Sequence, residues 1–567
     1  MRSLGRRGID VLVGSSRPGS LAARSRYASR AFVYPHPLGE AAEFRKALLD
    51  VVRGSEVDLT IPVSESTCVA LAAGRDEFHG HSRLALSSSE ALAAVLSRAG
   101  TRGLAGRLGI PAAPGIEVRS LAAGLEAARE MGFPVVVAPD NRVSPAAVAR
   151  AGGAQYVVDR TGLVRALNPI VRIGAAHLGP RLRGDGIGLA VLCRRGSVLW
   201  AFQWRRLHEL GPGDGGSAYR ISEAVDPTLL AQAQKMMREM SWEGAAELQF
   251  RRSDAEYCLT HVNATFAEAL PVAVAAGADA PSFLYDLEVH DREDFGAGYR
   301  IGVRCRHLPS EIVWTRELAR PKTVRWMSSD RPKTRRVLVD MARALNPWEH
   351  WDTQSISDPG PGIQELREVS ADLWRSVTYR LARIRQRRRM RRAARHSSEI
   401  ATRVLAARTI LFVCLGNIIR SAFAAGLLGV HSSGRQDLRI RSVGLDAATN
   451  HTADPTAVQC ARRFGVDLST HRTRRIDQSA VEEADILLAM ELDHVVEICR
   501  RFPQYRHKVY LFGCLTDENA PDVADPVYAP EEVFGACFDQ IELGIRRLVE
   551  MRNPASRPMD VTRGVRS

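Results

Sequence analysis

The chain has 567 residues, too many for a single hydrophobic core, so about two to four domains are expected. Hydrophobic residues make up 45% and charged residues 25%, an ordinary balance for globular protein, and no run approaches the ~18 apolar residues of a membrane span. The net charge of +14 would suggest a nucleic-acid partner if it were spread evenly, but ten arginines fall between Arg375 and Arg395, so the excess belongs mainly to one segment.

The opening MRSLGRRGIDVLVG has basic residues but no apolar core or cleavage site after them, which argues against a secretory signal. The nine cysteines are scattered from Cys68 to Cys537 without a C-x-x-C. An odd, dispersed set suits free thiols in a reducing compartment, and the cytoplasm is the expected location.

Over residues 1–98, short apolar runs (VLVG, AFVYP, LTIPVS) alternate with helical patterns such as GEAAEFRKALLDVVR, which predicts an α/β layer. Residues 99–300 continue with an amphipathic helix at LAAGLEAAREMG and a strand at FPVVVAP. They then pass into antiparallel strands such as IGLAVLCRRGSVLWAFQW, whose RRG reads as a hairpin turn. Residues 301–372 carry Pro and Trp without a period and are expected to be an irregular extension. Residues 373–406 hold the arginine run among good helix formers and predict a helical linker. A fresh βαβ pattern opens in 407–552, and 553–567 form a tail. The fold class is therefore α/β multidomain.

TILFV reads as a buried strand and SAFAAGLLGV as a helix, and between them lies Cys414-Leu-Gly-Asn-Ile-Ile-Arg420-Ser421. A loop wrapped at a helix N-terminus turns backbone N–H groups inward and makes an anion nest. The same field favours a thiolate at its centre, and an arginine closing the loop can hold two phosphoryl oxygens at once. Gly416 and Asn417 are residues that tolerate left-handed backbone. A leaving group also needs a proton, and Asp525, stiffened by Pro526 in VADPVYAP, is the candidate acid.

V-C-L-G-N-I-x-R-S resembles the signature of low-molecular-weight protein tyrosine phosphatases, and further matches follow at RSVGL, STHRTRRI, ADILLAME and DPVY. The resemblance implies a doubly wound parallel sheet and hydrolysis of phosphotyrosine through a cysteinyl-phosphate intermediate. It assigns Cys414 as nucleophile, Arg420 as phosphate ligand and Asp525 as acid and then base. Leu415, Gly416, Asn417, Ile418 and Ile419 would complete the loop. Ser421 would stabilise the thiolate, and Asn417, Ser442 and His471 would hold the loop rigid. Tyr528 would line the substrate cleft, with Val527 replacing a second aromatic. No metal or other cofactor is implied for this domain. Many relatives carry a cysteine directly before the loop arginine; Ile419 stands there, so the disulfide that protects their nucleophile is not expected. Ile418, where phosphoarginine phosphatases tend to have threonine, favours phosphotyrosine. The resemblance also points to a phosphotyrosine protein as partner, including autophosphorylating bacterial tyrosine kinases.

Residues 99–289 resemble the ATP-grasp ligases, in LAGRLGIPAAPGIEV, EMGFPVVVAP, MSWEGAAELQF and HVNATFAEALPVAVAAGADAPSFL. Active members use a strand lysine for phosphates, acidic residues for magnesium and a closing E-x-N-x-R. Here those positions hold Ala138, Gln249, His261 and Thr265, with Asn263 kept and Glu247 available nearby. Hard cations need charged oxygen ligands, so this half is expected to be a degraded, non-catalytic module. A bifunctional ATP-dependent carboxylate–amine ligase with a regulatory phosphatase is the alternative. Arg375–Arg395 reads as a solvated linker helix or as a docking surface for phosphorylated or acidic partners or an anionic membrane. Tyr379 is its one aromatic, too few for stacking along a strand, so specific nucleic-acid recognition is not expected.

Overall fold

A computed structural model describes residues 1–141, 154–211, 216–253, 256–266, 268–296, 298–318, 334–344, 346, 349–395, 397–432, 437–516, 522–529 and 531–552. The chain divides into two compact units, Met1–Ser370 and Ala371–Ser567.

The first unit opens with two parallel strand pairs, Leu12–Ser15 with Arg30–Val33 and Leu59–Thr60 with Arg83–Leu84. Two further sheets follow, the smaller antiparallel and the larger antiparallel except for one parallel pair at its edge. The smaller runs Ile116–Val118, Ala176–Pro180, Val135–Pro139, Gln155–Val157, and the helices Leu121–Met131 and Arg160–Val171 pack on it. The larger has seven strands and is built around the hairpin Asp185–Arg194 and Ser197–Glu209. The RRG turn closes that hairpin with Arg195 at φ 50° and Gly196 at φ 76°. Two left-handed residues match the right-handed twist of the flanking strands, which is why a two-residue loop suffices.

The described residues of 301–372 are not irregular. Arg304–Arg306 adds to the larger sheet against Ser217–Glu223, and His350–Trp351 pairs with Arg304–Arg306 at its edge. Asp358, buried, accepts from Arg2 Nε at 2.8 Å, Ser25 Oγ at 2.7 Å and the Arg26 N–H at 2.9 Å, so these residues belong to the body of the first unit. Strands of two and three residues have no readable period, and only their pairing defines them. The arginine run lies on a helix, Pro359–Arg395, that begins well before residue 373; Ser397–Ala406 forms the next.

In the second unit we label β1 (Thr409–Cys414), α1 (Arg420–His431), β2 (Arg439–Gly444), β3 (Ile486–Ala489), α2 (Leu492–Arg501), β4 (Val509–Leu511) and α3 (Glu531–Arg552). All four strands are parallel, in the order β2-β1-β3-β4. Every residue of β1 is buried, as a central parallel strand covered on both faces requires. On one face Phe423 of α1 stacks on Phe538 of α3, ring centroids 3.8 Å apart, a pair contributing about 0.5–1.5 kcal/mol beyond its buried area. The chain leaves β1 towards β2 on one side and later returns to β3 on the other. That reversal opens a crevice beyond the carboxyl ends of β1 and β3, where open α/β sheets bind ligands. Cys414 is the last residue of β1 and stands at that point. All nine cysteines are free thiols. Among the described residues no helix is long and apolar enough to cross a membrane.

Candidate active site

The loop from Cys414 to Arg420 turns on one residue in left-handed conformation, Asn417, at φ 56°. Gly416, expected to share that role, does not take positive φ, and a Cβ there would meet only Ile418 at an ordinary 3.5 Å. The glycine that the loop does need is Gly444, at the end of β2. A Cβ there would lie 2.7 Å from the Leu415 carbonyl oxygen and 2.9 Å from the Asn417 nitrogen, so the loop could not pass.

Asn417 is fully buried and its side chain reaches three ways. Nδ2 donates to Ser421 Oγ at 3.0 Å and Ser442 Oγ at 2.9 Å, while Oδ1 accepts the Arg474 N–H at 2.9 Å. Its carbonyl oxygen lies 2.8 Å from His471 Nε2. A carbonyl only accepts, so Nε2 carries the proton; burial, with Arg472 and Arg474 adding to it, holds His471 below the usual imidazole range. The expected support residues Asn417, Ser421, Ser442 and His471 thus form one network.

At the centre, Cys414 is 3% exposed. Its Sγ accepts the Asn417 N–H at 3.2 Å and lies 3.0 Å from Ser421 Oγ. The Ser421 hydroxyl accepts from Asn417, and its own proton has two acceptors in reach, the sulfur at 3.0 Å and the Val443 carbonyl at 3.4 Å. Leu415, half exposed, stands at the mouth, whereas Ile419 is buried in the core and Ile418 packs against it.

Arg420, 1% exposed, begins α1. Its Nη2 donates to Asp525 Oδ2 at 2.6 Å; Nη1 donates to the Val523 carbonyl at 2.8 Å and to Glu491. Burial opposes its charge, but Asp525, Cys414 and Glu491 more than offset this. The structure therefore brings Cys414, Arg420 and Asp525 to one place. The Asp525 loop is pinned to the end of β3 by Val523 N–H on the Met490 carbonyl at 2.8 Å and Leu492 N–H on Asp522 Oδ1 at 2.7 Å. Asp525 Oδ1 also accepts the Val527 N–H at 3.2 Å. Tyr528 follows in a turn closed by Ala529 N–H on the Pro526 carbonyl, with its own φ at 60°. A tyrosine so held stores about 1–3 kcal/mol of strain, the kind that collects beside functional loops.

Residues 409–555 match the family profile described as low molecular weight phosphotyrosine protein phosphatase. The low molecular weight protein-tyrosine-phosphatase Wzb of Escherichia coli K12 is 34% identical over 144 residues, 25% of this chain and 95% of that protein. Wzb of Salmonella typhi is 34% identical over 145 residues, covering 25% and 93%. Etp of Escherichia coli K12 is 31% identical over 134 residues, covering 24% and 87%. Through its C-terminal domain, the chain belongs to the low molecular weight phosphotyrosine protein phosphatase family. It carries a protein-tyrosine phosphatase.

Two residues of the phosphatase site had no role assigned from the sequence. Glu491 closes the ADILLAME run and holds Arg420; the only signal was a charge directly after a wholly apolar strand. His494, one turn further on in α2, is 5% exposed and lies 3.8 Å from Glu491. Burial, reinforced by Arg420, pushes its pKa down from 6.5 to about 4, so at neutral pH this contact is not an ion pair. The consequence for stability has a definite sign. Between pH 6.5 and about 4 the unfolded chain takes up a proton that the folded chain refuses, so stability falls as pH drops through that window. The loss should reach about 2–3 kcal/mol by pH ~4.5. His494→Gln is expected to remove that part of the slope, measured as urea midpoints at neutral and acid pH. An unchanged slope would place its origin elsewhere.

In the first unit, Ala138 lies on Val135–Pro139, opposite His177. Gln249 faces His261, and Glu247 faces Asn263, across two neighbouring strands; Thr265 follows, half-buried. These residues do not fit magnesium. Arg206 donates to Gln249 Oε1 at 2.7 Å and lies 3.5 Å from Glu268, so a guanidinium already supplies the positive charge. Glu247 is fully buried, and burial with Glu268 nearby raises its pKa to about 8, which keeps its carboxyl largely neutral.

Proposed function

We propose that the C-terminal domain hydrolyses phosphotyrosine through a cysteinyl-phosphate intermediate. The observation that carries this reading is the convergence of Arg420 on both Asp525 and the loop that holds Cys414. The Cys414 thiolate attacks phosphorus, and the S–P bond forms as the P–O bond to tyrosine breaks. Asp525 gives its proton to the departing phenolate oxygen. Asp525 then takes a proton from water as that water attacks phosphorus, the S–P bond breaks and Cys414 is restored. Loop N–H groups and the Arg420 fork hold the charge of the transferring phosphoryl group.

Arg420 meets Asp525 where phosphoryl oxygens would take its fork. Substrate would then leave Asp525 beside the phosphoryl group, in reach of the departing oxygen. Leu415 and Tyr528 supply apolar walls for the substrate ring. The partners are phosphotyrosine proteins, including, as the family resemblance implies, autophosphorylating bacterial kinases.

The test is hydrolysis of p-nitrophenyl phosphate and of a phosphotyrosine peptide by the full chain, wild type beside Asp525→Asn. The variant is expected to lose about 10²–10⁴ in kcat on the peptide. It should lose much less on p-nitrophenyl phosphate, whose leaving group is stable as an anion. Equal losses on both substrates would remove Asp525 as the acid.

For residues 1–300 we read a pre-ATP-grasp layer over 1–98 and an ATP-grasp-like module over 99–300 that performs no magnesium-dependent ligation. Ala138, the Arg206–Gln249 contact and the neutral Glu247 support this reading.

A further inference from the structure

The helix Pro359–Arg395 carries a second pattern beside its arginines. Leu373, Trp374, Val377, Leu381 and Ile384 recur at helical spacing. At about 3.6 residues per turn they fall in one stripe ~100° wide, and no polar residue between Leu373 and Ile384 shares it. All five are exposed, Trp374 by 70%. The stripe points away from the phosphatase core. Further along the same helix Met390, Ala393 and Ala394 are buried in that core, and Arg383 pairs with Asp493 of α2 at 2.6 Å. At the same ~100° per residue, these four positions lie on the side of the helix opposite the stripe.

Single exposed apolar residues are ordinary on a protein surface, but five in register along one helix face mark a surface that something covers. Charge selects the occupant. Residues 371–395 hold ten arginines and one carboxylate, Asp372. A second copy laid along the stripe would set ten more arginines about 8–10 Å away, and like charges at that distance repel. A surface of anionic lipid satisfies both features. The stripe enters the boundary between headgroups and acyl chains, where tryptophan is favoured. Arg380 and Arg385, exposed on either flank of the stripe, reach the headgroups. Because the phosphatase core takes the opposite side, the occupant approaches from one side only, as a plane does and a protein closing round a helix does not.

We infer that this helix lies on anionic membrane surfaces through the stripe, with the phosphatase core held on its far side. The test is sedimentation of the full chain with vesicles of mixed phosphatidylserine and phosphatidylcholine, and with vesicles of phosphatidylcholine alone. The protein is expected to pellet with the first and to stay in solution with the second. Trp374→Gln with Ile384→Gln should weaken binding at least about ten-fold, and so should Arg380→Gln with Arg385→Gln. All four positions are exposed, so the urea midpoints of both variants are expected to match wild type.

Pelleting with neither vesicle, pelleting equally with both, or binding unmoved by the Trp374 and Ile384 changes would overturn the membrane contact. Without vesicle binding, a dimer in sedimentation equilibrium that those two changes dissociate would give the stripe to a second copy. Without vesicle binding, a complex with polyglutamate that they weaken would give the helix to an acidic protein.

Discussion

Cys414→Ser is expected to lower turnover of p-nitrophenyl phosphate by about 10⁴-fold or more while leaving phosphate binding in place. The substitution is nearly isosteric at a buried position, and the partners of Sγ, the Asn417 N–H and Ser421 Oγ, can serve an oxygen equally well. Stability should therefore shift by less than about 1.5 kcal/mol. What changes is the nucleophile. The attacking species at sulfur is a thiolate, and the hydroxyl of serine is far too weak an acid to replace it. Arg420 and the loop N–H groups are untouched, so calorimetry with inorganic phosphate should still register binding. Turnover within ten-fold of wild type would show that another residue attacks phosphorus. Lost turnover with lost phosphate binding would mean that the side chain had collapsed the loop.

The local parts of this site were legible because they are written in consecutive residues. A short apolar run, a loop with Asn at its turn and a helix pattern beginning at Arg420 give strand, nest and helix from adjacency alone. Which loop residue takes the left-handed conformation was not legible. Gly416 and Asn417 both permit it, and the choice falls to Asn417 because its side chain reaches Ser421, Ser442 and Arg474, the last two more than twenty positions away. Glu491 stayed hidden for a similar reason. Its partner lies 71 positions earlier, and β1 and β3 must pair before the two approach. Through its resemblance to ATP-grasp ligases, the sequence could say that positions matching their magnesium ligands differ here. It could not say that Arg206 is the residue facing Gln249, since the RR of QWRRLHE offers two arginines on opposite faces of one strand.

The dependence on geometry is sharpest at Arg420, where Arg420→Lys keeps the charge and should still lower kcat/KM by about 10³-fold. The guanidinium meets Asp525 with one nitrogen and Glu491 and the Val523 carbonyl with the other. An ammonium is a single point with a shorter reach and cannot serve both directions. It would settle on the two carboxylates and leave the phosphoryl group without paired donors. The loss should therefore appear in kcat as well as KM, because the fork matches the equatorial oxygens of the transferring group in the transition state. Glu491→Gln separates holding from binding. It removes the carboxylate that orients Arg420 but keeps an acceptor, and should cost about ten-fold, mostly in kcat. Steady-state kinetics of both variants on p-nitrophenyl phosphate decide the matter. An Arg420→Lys enzyme within a few-fold of wild type would mean that charge alone is needed there, and the fork would have no part in the reaction.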